Sequence, residues 1–390
     1  MTLEIAGGRL LTPDGPVEGG WLRCDATAIT ALGGPGAPPP AEPAGTRLDA
    51  AGGTVLPGFV DVHVHGSGGG EAGDGDAEGL RTMAAFLATR GVTTFLPTIA
   101  TASHEATLAA LGAIGEAMAR PGPGARIAGA NLEGPYLSPA RCGAQDPDHL
   151  RPADPGEVAE LLATGLVRII TIAPEVEGNL PALARLAEAG VGVALGHADA
   201  TYEQAMAGFD AGARHVTHLF NAMPPLHHRA PGLPAAALAR REATVELITD
   251  GIHLHPGAIA AAWAALGPER TCVVTDALRA TGLPEGRYPF GERVVTHRDG
   301  AMWRDDGGLA GSALTMDRAL AVLLSATGAP LETAWPATSA TPARAAGLAQ
   351  PAALEPGGLP DLVVLEADLT VRATVVAGEV VHDAAATSSG

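Results

Sequence analysis

The sequence predicts an α/β fold: a (β/α)8 TIM-like barrel with a small β-sandwich built from both chain ends. From about Thr54 onward, short apolar strands alternate with Gly-marked turns and Ala/Leu-rich helical stretches. That rhythm is typical of a parallel sheet covered by helices. Both ends of the chain carry strand-like runs between Gly, Pro and Asp breaks instead. The segment 58–66 reads as a strand that ends in two histidines beside a glycine-rich loop, as at a barrel rim.

Eight strand candidates, with helices between them, fit a barrel of about 250 residues or more. The strand candidates are Phe59–His65, Thr93–Pro97, Ile127–Leu132, Val167–Ala173, Gly192–Leu195, His215–Leu219, Thr244–Ile248 and Cys272–Thr275. The helical candidates are Ala77–Thr89, Glu105–Ala119, Pro155–Ala163, Leu180–Ala189, Tyr202–Ala211, Pro256–Leu266 and Ala313–Ser325.

The 390 residues are long for one compact domain and suit a barrel with an accessory unit. We predict a small β-sandwich domain from residues 1–55 and 355–385, and a catalytic barrel from residues 56–354. The terminal strand candidates include Leu3–Leu11, Thr46–Asp49 and Val371–Val376.

Composition excludes several classes of protein. A formal net charge of −19 argues against non-specific nucleic-acid binding, although one arginine can still bind a phosphate inside an acidic protein. Cys24, Cys142 and Cys272 are widely spaced, so neither a disulfide framework nor a thiolate zinc site is indicated. The sequence shows no signal peptide and no apolar run of about 18 residues, so we expect a cytoplasmic protein without a membrane span.

Polar residues stand where the predicted strands end. His63 and His65 project from one strand face about 6 to 7 Å apart, a spacing at which two imidazoles can hold one metal ion. The carboxyl ends of barrel strands share one mouth. The other polar residues at these ends are Asn131, Glu133, His197, His218, Asn221, Asp250, His253 and Asp276.

These residue types indicate metal chemistry. Imidazoles with one or two carboxylates suit Zn²⁺, or Fe²⁺, Mn²⁺ or Co²⁺. An open site of this kind lowers the pKa of a bound water towards about 7, and a nearby carboxylate must then accept the proton. Asp276, after the last predicted strand, is the candidate for that role.

Seven motifs resemble those of the amidohydrolase superfamily and, within it, of the N-acetylglucosamine-6-phosphate deacetylase family. They run in family order through residues 57–316, so the resemblance covers most of the chain. The motifs are PGFVDVHVHG (57–66), LEGPYL (132–137), GHADAT (196–201), THLFNAM (217–223), DGIH (250–253), VTDA (274–277) and LAGSALTM (309–316).

The resemblance implies a fold, an activity and roles for residues. It implies that Glu133, His197 and His218 hold one metal. His63 and His65 resemble the pair that binds a second metal in some members, with Glu133 bridging, whereas other members use a single ion, so one or two ions per subunit are expected. It implies that Asp276 is the general base and acid. The residues implied to bind the substrate are Ala144, Gln145, Asn221, Ala222, Arg229 (phosphate), His253, Leu309, Ala310 and Gly311.

The implied reaction is metal-dependent hydrolysis of the acetamide of N-acetylglucosamine 6-phosphate, in a homodimer. One departure from the family pattern is Gln145, which stands where the family usually has a histidine. A glutamine donates a hydrogen bond but carries no proton at neutral pH. Gln145 therefore bears on substrate preference more than on reaction type.

Three alternatives stay open on the sequence. The first is the same chemistry on another N-acyl amino sugar, such as N-acetylgalactosamine 6-phosphate. The second is a deaminase or cyclic amidohydrolase, which shares the paired histidines and the strand-end aspartate but typically lacks LEGPY and LAGSALTM. The third is a non-catalytic scaffold, although such barrels tend to lose the metal ligands that this chain retains.

Overall fold

A computed structural model describes residues 2–37, 39–40, 44–348 and 353–387, and its central feature is a barrel of eight parallel strands. Neighbouring strands pair in chain order. The barrel closes where the Asp276 N–H donates to the His63 carbonyl at 2.8 Å. Barrel strands 1 to 8 are Phe59–Val64, Val92–Ala100, Ala130–Glu133, Val167–Ile172, Gly192–Leu195, His215–Val216, Thr244–Ile248 and Thr271–Val274. The predicted barrel is confirmed.

Helices connect successive strands, and polar caps fix where several of them begin. Asp76 accepts the N–H groups of Glu78 and Gly79, and Thr201 forms a capping box with Gln204. The helices are Ala77–Ala88, His104–Ala119, Pro155–Ala163, Asn179–Glu188, Tyr202–Asp210, Gly232–Ala239, Pro256–Leu266, Met316–Thr327, Leu331–Ala334, Ala340–Ala345 and Ala384–Thr387. In the described part of the chain, none is both long and apolar enough to span a bilayer.

Strands from both ends of the chain join one mixed sheet of eight strands with its own apolar core. Thr54–Pro57 pairs with Leu362–Leu365 and runs through Gly58 directly into barrel strand 1. The remaining strands of this terminal sheet are Leu3–Thr12, Gly15–Cys24, Ile29–Gly33, Thr46–Asp49, Val371–Val376 and Glu379–Asp383. The division at residues 55/56 and 354/355 stays a prediction.

A four-stranded antiparallel sheet, absent from the sequence prediction, is inserted between barrel strand 8 and the helix Met316–Thr327. We call it the inserted sheet. Its strands are Gly286–Phe290, Arg293–Arg298, Ala301–Trp303 and Leu309–Ser312. The segment Leu309–Gly311, implied by the resemblance to bind the substrate, is part of the last of these strands. That strand passes the barrel mouth because the Ser312 N–H donates to the Asp276 carbonyl at 2.7 Å.

Candidate metal and substrate site

The carboxylate of Glu133, at the end of barrel strand 3, is the centre of a buried cluster at the barrel mouth. Its Oε1 lies 2.8 Å from His218 Nε2, 3.0 Å from His197 Nε2 and 3.5 Å from His63 Nε2. Its Oε2 lies 3.1 Å from His65 Nε2. The structure thus brings together all five residues predicted to bind metal, from four different strands. These positions converge because parallel strands end at one rim.

Backbone carbonyls orient two of the four imidazoles. His197 Nδ1 lies 2.9 Å from the Arg141 carbonyl, and His65 Nδ1 lies 2.9 Å from the Thr98 carbonyl. A carbonyl only accepts, so each Nδ1 carries the hydrogen and each Nε2 presents a lone pair towards Glu133. This hydrogen bonding on the far side of the ring is typical of metal-binding histidines.

The cluster fits a divalent metal. His197 Nε2 and His218 Nε2 are only 3.0 Å apart, and both face the same carboxylate oxygen. Acceptor atoms this close repel one another unless a proton or cation lies among them. Nitrogen and oxygen donors without thiolates suit an open zinc-type site. Two overlapping groups of three ligands, which share Glu133, are each close enough to hold an ion.

Charge shifts the pKa values in this cluster. Burial raises the pKa of Glu133, but His63 and His197 outweigh it and hold the pKa well below its usual range. Burial lowers the pKa of His65, yet hydrogen bonds to Asp276 and Glu133 raise it to about 9. Without a metal ion, the carboxylates therefore favour protonated imidazoles. The same negative charge would favour a bound metal cation.

Asp276 follows barrel strand 8 and faces the second pair of imidazoles. Its Oδ1 lies 3.2 Å from His65 Nε2 and 3.5 Å from His63 Nε2. Burial raises the pKa of its carboxyl, but the neighbouring histidines outweigh burial and the pKa is lowered overall. Asp276 has a φ of +50°, and His197 has +47°. Backbone strain of this kind is characteristic of functional sites.

A pocket opens above the cluster, and most of the predicted substrate residues line it. His63 and Ala310 are buried and are not among the lining residues. Arg229 is not among the lining residues: it stands on the exposed loop 224–230, with Nη1 2.7 Å from His228 Nε2. The lining residues are His65, Glu133, Gly143, Ala144, Gln145, His197, His218, Asn221, Ala222, His253, Asp276, Phe290, Leu309 and Gly311.

Gln145 lines the pocket, but both ends of its amide bind protein. Its Oε1 accepts the Thr101 N–H at 2.7 Å, and its Nε2 donates to Glu133 Oε2 at 2.5 Å. The residue is buried. Gln145 therefore supports the carboxylate that is predicted to bind metal, a contact that the sequence did not predict.

Sequence reasoning missed three residues at the site. Phe290, from the inserted sheet, lines the pocket and packs edge-on against His65 with ring centroids 5.5 Å apart. The Arg304 guanidinium donates to the Gly143 carbonyl and ties the inserted sheet to the loop that carries Gln145. Glu246 is fully buried in barrel strand 7 and binds His63. A charged residue inside the apolar run TVELI was a signal for it, since buried charges require partners.

A parallel barrel with buried imidazoles, a shared carboxylate and an aspartate at its carboxyl rim defines a metal-dependent hydrolase. The profile of the Amidohydrolase family matches residues 54–381. The chain belongs to this family, so it is a metal-dependent amidohydrolase that uses a divalent metal.

Relatives and solved structures agree with the family. The chain is 37% identical to an N-acetylgalactosamine-6-phosphate deacetylase of Escherichia coli O157:H7, over 97% of this chain and 99% of the relative. It is 39% identical to an N-acetylglucosamine-6-phosphate deacetylase of Vibrio furnissii, over 85% of this chain and 84% of the relative. A solved N-acetyl-D-glucosamine-6-phosphate deacetylase mutant of Mycobacterium smegmatis, in complex with N-acetyl-D-glucosamine-6-phosphate, superposes with a TM-score of 0.90 and 37% identity, covering 98% and 99% of the two chains.

Proposed function

We propose that this protein hydrolyses the acetamide of N-acetylglucosamine 6-phosphate, giving glucosamine 6-phosphate and acetate. The observation that carries the proposal is the position of the Asp276 carboxylate, which lines the pocket and lies 3.2 Å from His65 Nε2 in the cluster around Glu133. In this position the base Asp276 and the predicted metal ligands would act on the same bound amide. The names of the relatives supply the substrate class.

The proposed chemistry uses residues of this chain in named roles. Glu133, His197, His218, His63 and His65 would hold the metal, which supplies Lewis acidity towards water and the acetamide oxygen. Asp276 removes a proton from the attacking water while the water oxygen bonds to the acetamide carbon. Asp276 then returns the proton to the nitrogen as the C–N bond breaks, so the products are acetate and a free amine.

The polar residues on the other side of the pocket would bind the sugar. His253 is held by Asp250, whose carboxylate lies 2.6 Å from His253 Nδ1, so its other ring nitrogen is free to meet a hydroxyl or phosphate. We propose that Asn221, Ala222 and the strand residues Leu309–Gly311 contact the sugar, and that Arg229 binds the phosphate. Arginine suits a phosphate because its planar guanidinium donates two parallel hydrogen bonds.

An acetate-release assay, combined with metal analysis of the purified protein, tests the proposal. We expect the highest kcat/KM on N-acetylglucosamine 6-phosphate and a much lower value on unphosphorylated N-acetylglucosamine. Acetate release from none of the N-acetylated amino sugars would refute the proposal.

A second candidate substrate is N-acetylgalactosamine 6-phosphate. The E. coli O157:H7 relative matches over nearly the whole of both chains, and Gln145 replaces the usual family histidine. The same assay decides between the two epimers. A higher kcat/KM on the galacto epimer would identify this second substrate as the preferred one.

The metal identity and the assembly are part of the proposal. Imidazole and carboxylate donors favour Zn²⁺, with Fe²⁺, Mn²⁺ or Co²⁺ as the alternatives, and one or two ions per subunit. We also propose a cytoplasmic homodimer. Leu226, 52% exposed on the loop that carries Arg229, is an apolar side chain that a second copy could cover. Light scattering tests the assembly, and elemental analysis tests the metal.

A further inference from the structure

The carboxylate of Glu246 is fully buried and is not part of the pocket lining. It lies behind the cluster of predicted metal ligands around Glu133. Its Oε2 accepts from His63 Nδ1 at 2.9 Å and from the His218 backbone N–H at 3.0 Å. Its Oε1 accepts from His215 Nε2 at 2.9 Å. One buried carboxylate thus contacts two of the predicted metal-binding residues, one through its ring and one through its backbone.

The contact with Glu246 determines which way His63 presents its lone pair. The carboxylate is an acceptor, so the hydrogen of the His63 ring sits on Nδ1 and Nε2 is left with a lone pair. His63 Nε2 is buried and makes no hydrogen bond. It lies 3.5 Å from both Glu133 Oε1 and Asp276 Oδ1. An acceptor nitrogen aimed at two carboxylates is unfavourable unless a proton or a metal ion lies between them.

His215 in turn fixes the carboxylate. It stands on barrel strand 6 beside barrel strand 7, and its two ring nitrogens bind Glu246 Oε1 and Thr244 Oγ1, the latter at 2.6 Å. His215 and Glu246 are both buried, so neither side chain can turn towards solvent. The pair is therefore a rigid support behind His63.

We propose that Glu246, held by His215, is the positioning residue that sets the ring of His63 for a second metal ion. Through the His218 backbone it also couples this second subsite to the first one. The inference rests on the proposed metal-dependent function. Supporting carboxylates of this kind typically change metal affinity by about 10- to 100-fold.

The test titrates metal-free protein with Zn²⁺ against a chelator of known affinity and counts bound ions by elemental analysis. Wild type should bind two ions. Glu246→Gln keeps an oxygen for His63 but removes the charge, and should weaken the second ion about 10-fold. Glu246→Leu removes the acceptor and should weaken it about 100-fold or abolish it. The first ion should be weakened much less than the second in both variants.

Two reference variants separate a specific loss of the second ion from a general effect of altering a buried carboxylate. His63→Gln shows the signature of a lost second subsite. Glu4→Gln alters a buried carboxylate that binds Arg23 in the terminal sheet, and it should leave both ions unchanged. A Co²⁺ absorption spectrum that changes in Glu246→Gln but not in Glu4→Gln would support the role by a readout independent of activity. If Glu246→Leu does not fold, Glu246→Gln alone decides.

The proposal is overturned if wild type saturates with one ion, or if Glu246→Gln binds both ions with wild-type affinity. Acetate release by wild type is measured in parallel. The two proposals can fail separately. If wild type binds two ions and the variants weaken the second ion as predicted, but wild type releases no acetate, the proposed function is refuted and the role of Glu246 is retained.

Discussion

The pocket has two halves that differ in how rigidly they are held. The metal half is the buried cluster around Glu133, and the substrate half comprises the residues proposed to bind the sugar and its phosphate. Glu133, His65, His197 and His218 are each less than 5% exposed and bonded to other buried groups. Arg229, expected to bind the phosphate, stands on an exposed loop, where His228 beside it in sequence contacts its guanidinium. The contrast indicates that the fold preorganises the groups proposed for the chemistry, whereas the proposed binding of the phosphate would depend on a surface loop.

The largest effect should come from the acid–base group of the firm half. Asp276→Asn removes the group that accepts and returns the proton, and we expect kcat to fall by about 10²- to 10⁴-fold. Metal content should stay near that of wild type, because the Glu133 cluster is untouched. Acetate release and elemental analysis measure the two quantities. Full activity in this variant would mean that another group transfers the proton.

The pH dependence of metal uptake tests how strongly the cluster is charged. The pKa of His65 is raised to about 9 in the absence of a cation. Below that pH the ring holds a proton that the metal must displace, so affinity should rise by up to about tenfold per pH unit above pH 7 and level off near pH 9. Chelator competition at several pH values measures the slope. His65→Gln should flatten it, and a pH-independent affinity in wild type would contradict the assignment.

A substitution in the substrate half should change KM rather than kcat. Arg229→Ala loses a charged hydrogen-bond donor to the phosphate, so KM should rise about 10- to 100-fold on the phosphorylated sugar. KM for unphosphorylated N-acetylglucosamine should not change. Arg298→Ala, on the inserted sheet, is a matched control because Arg298 is also an exposed arginine. Equal effects on both substrates would show that Arg229 does not meet the phosphate.

The smallest effect should come from Gln145, where the two halves meet. Gln145→Leu frees Glu133 from its amide partner and leaves the buried Thr101 N–H unpaired. We expect metal affinity and kcat to fall about tenfold, with KM nearly unchanged. Steady-state kinetics separates the two constants. A change confined to KM would instead make Gln145 a substrate contact, as the family resemblance implied.

The parts of the molecule that follow simple periodicity were predictable. Every barrel strand was predicted from its apolar run. The rule that parallel strands share a rim predicted His63 and His218 at one mouth, and their ring centroids lie 5.6 Å apart. The inserted sheet was missed because strands such as Arg293–Arg298 are polar and only partly buried, so they lack an apolar signature. The partners of Gln145 and the position of Arg229 outside the pocket lining depend on loop conformation, which residue patterns do not fix.

The junction at Gly58 links the metal site to the far end of the chain. Thr54–Pro57 is hydrogen-bonded to Leu362–Leu365, and Ser339 Oγ donates to the Pro57 and Gly58 carbonyls. The strand bearing His63 is thus anchored by residues that come much later in the chain. A nascent chain stalled before Leu362 would therefore carry every predicted metal ligand and yet hold His63 and His65 loosely.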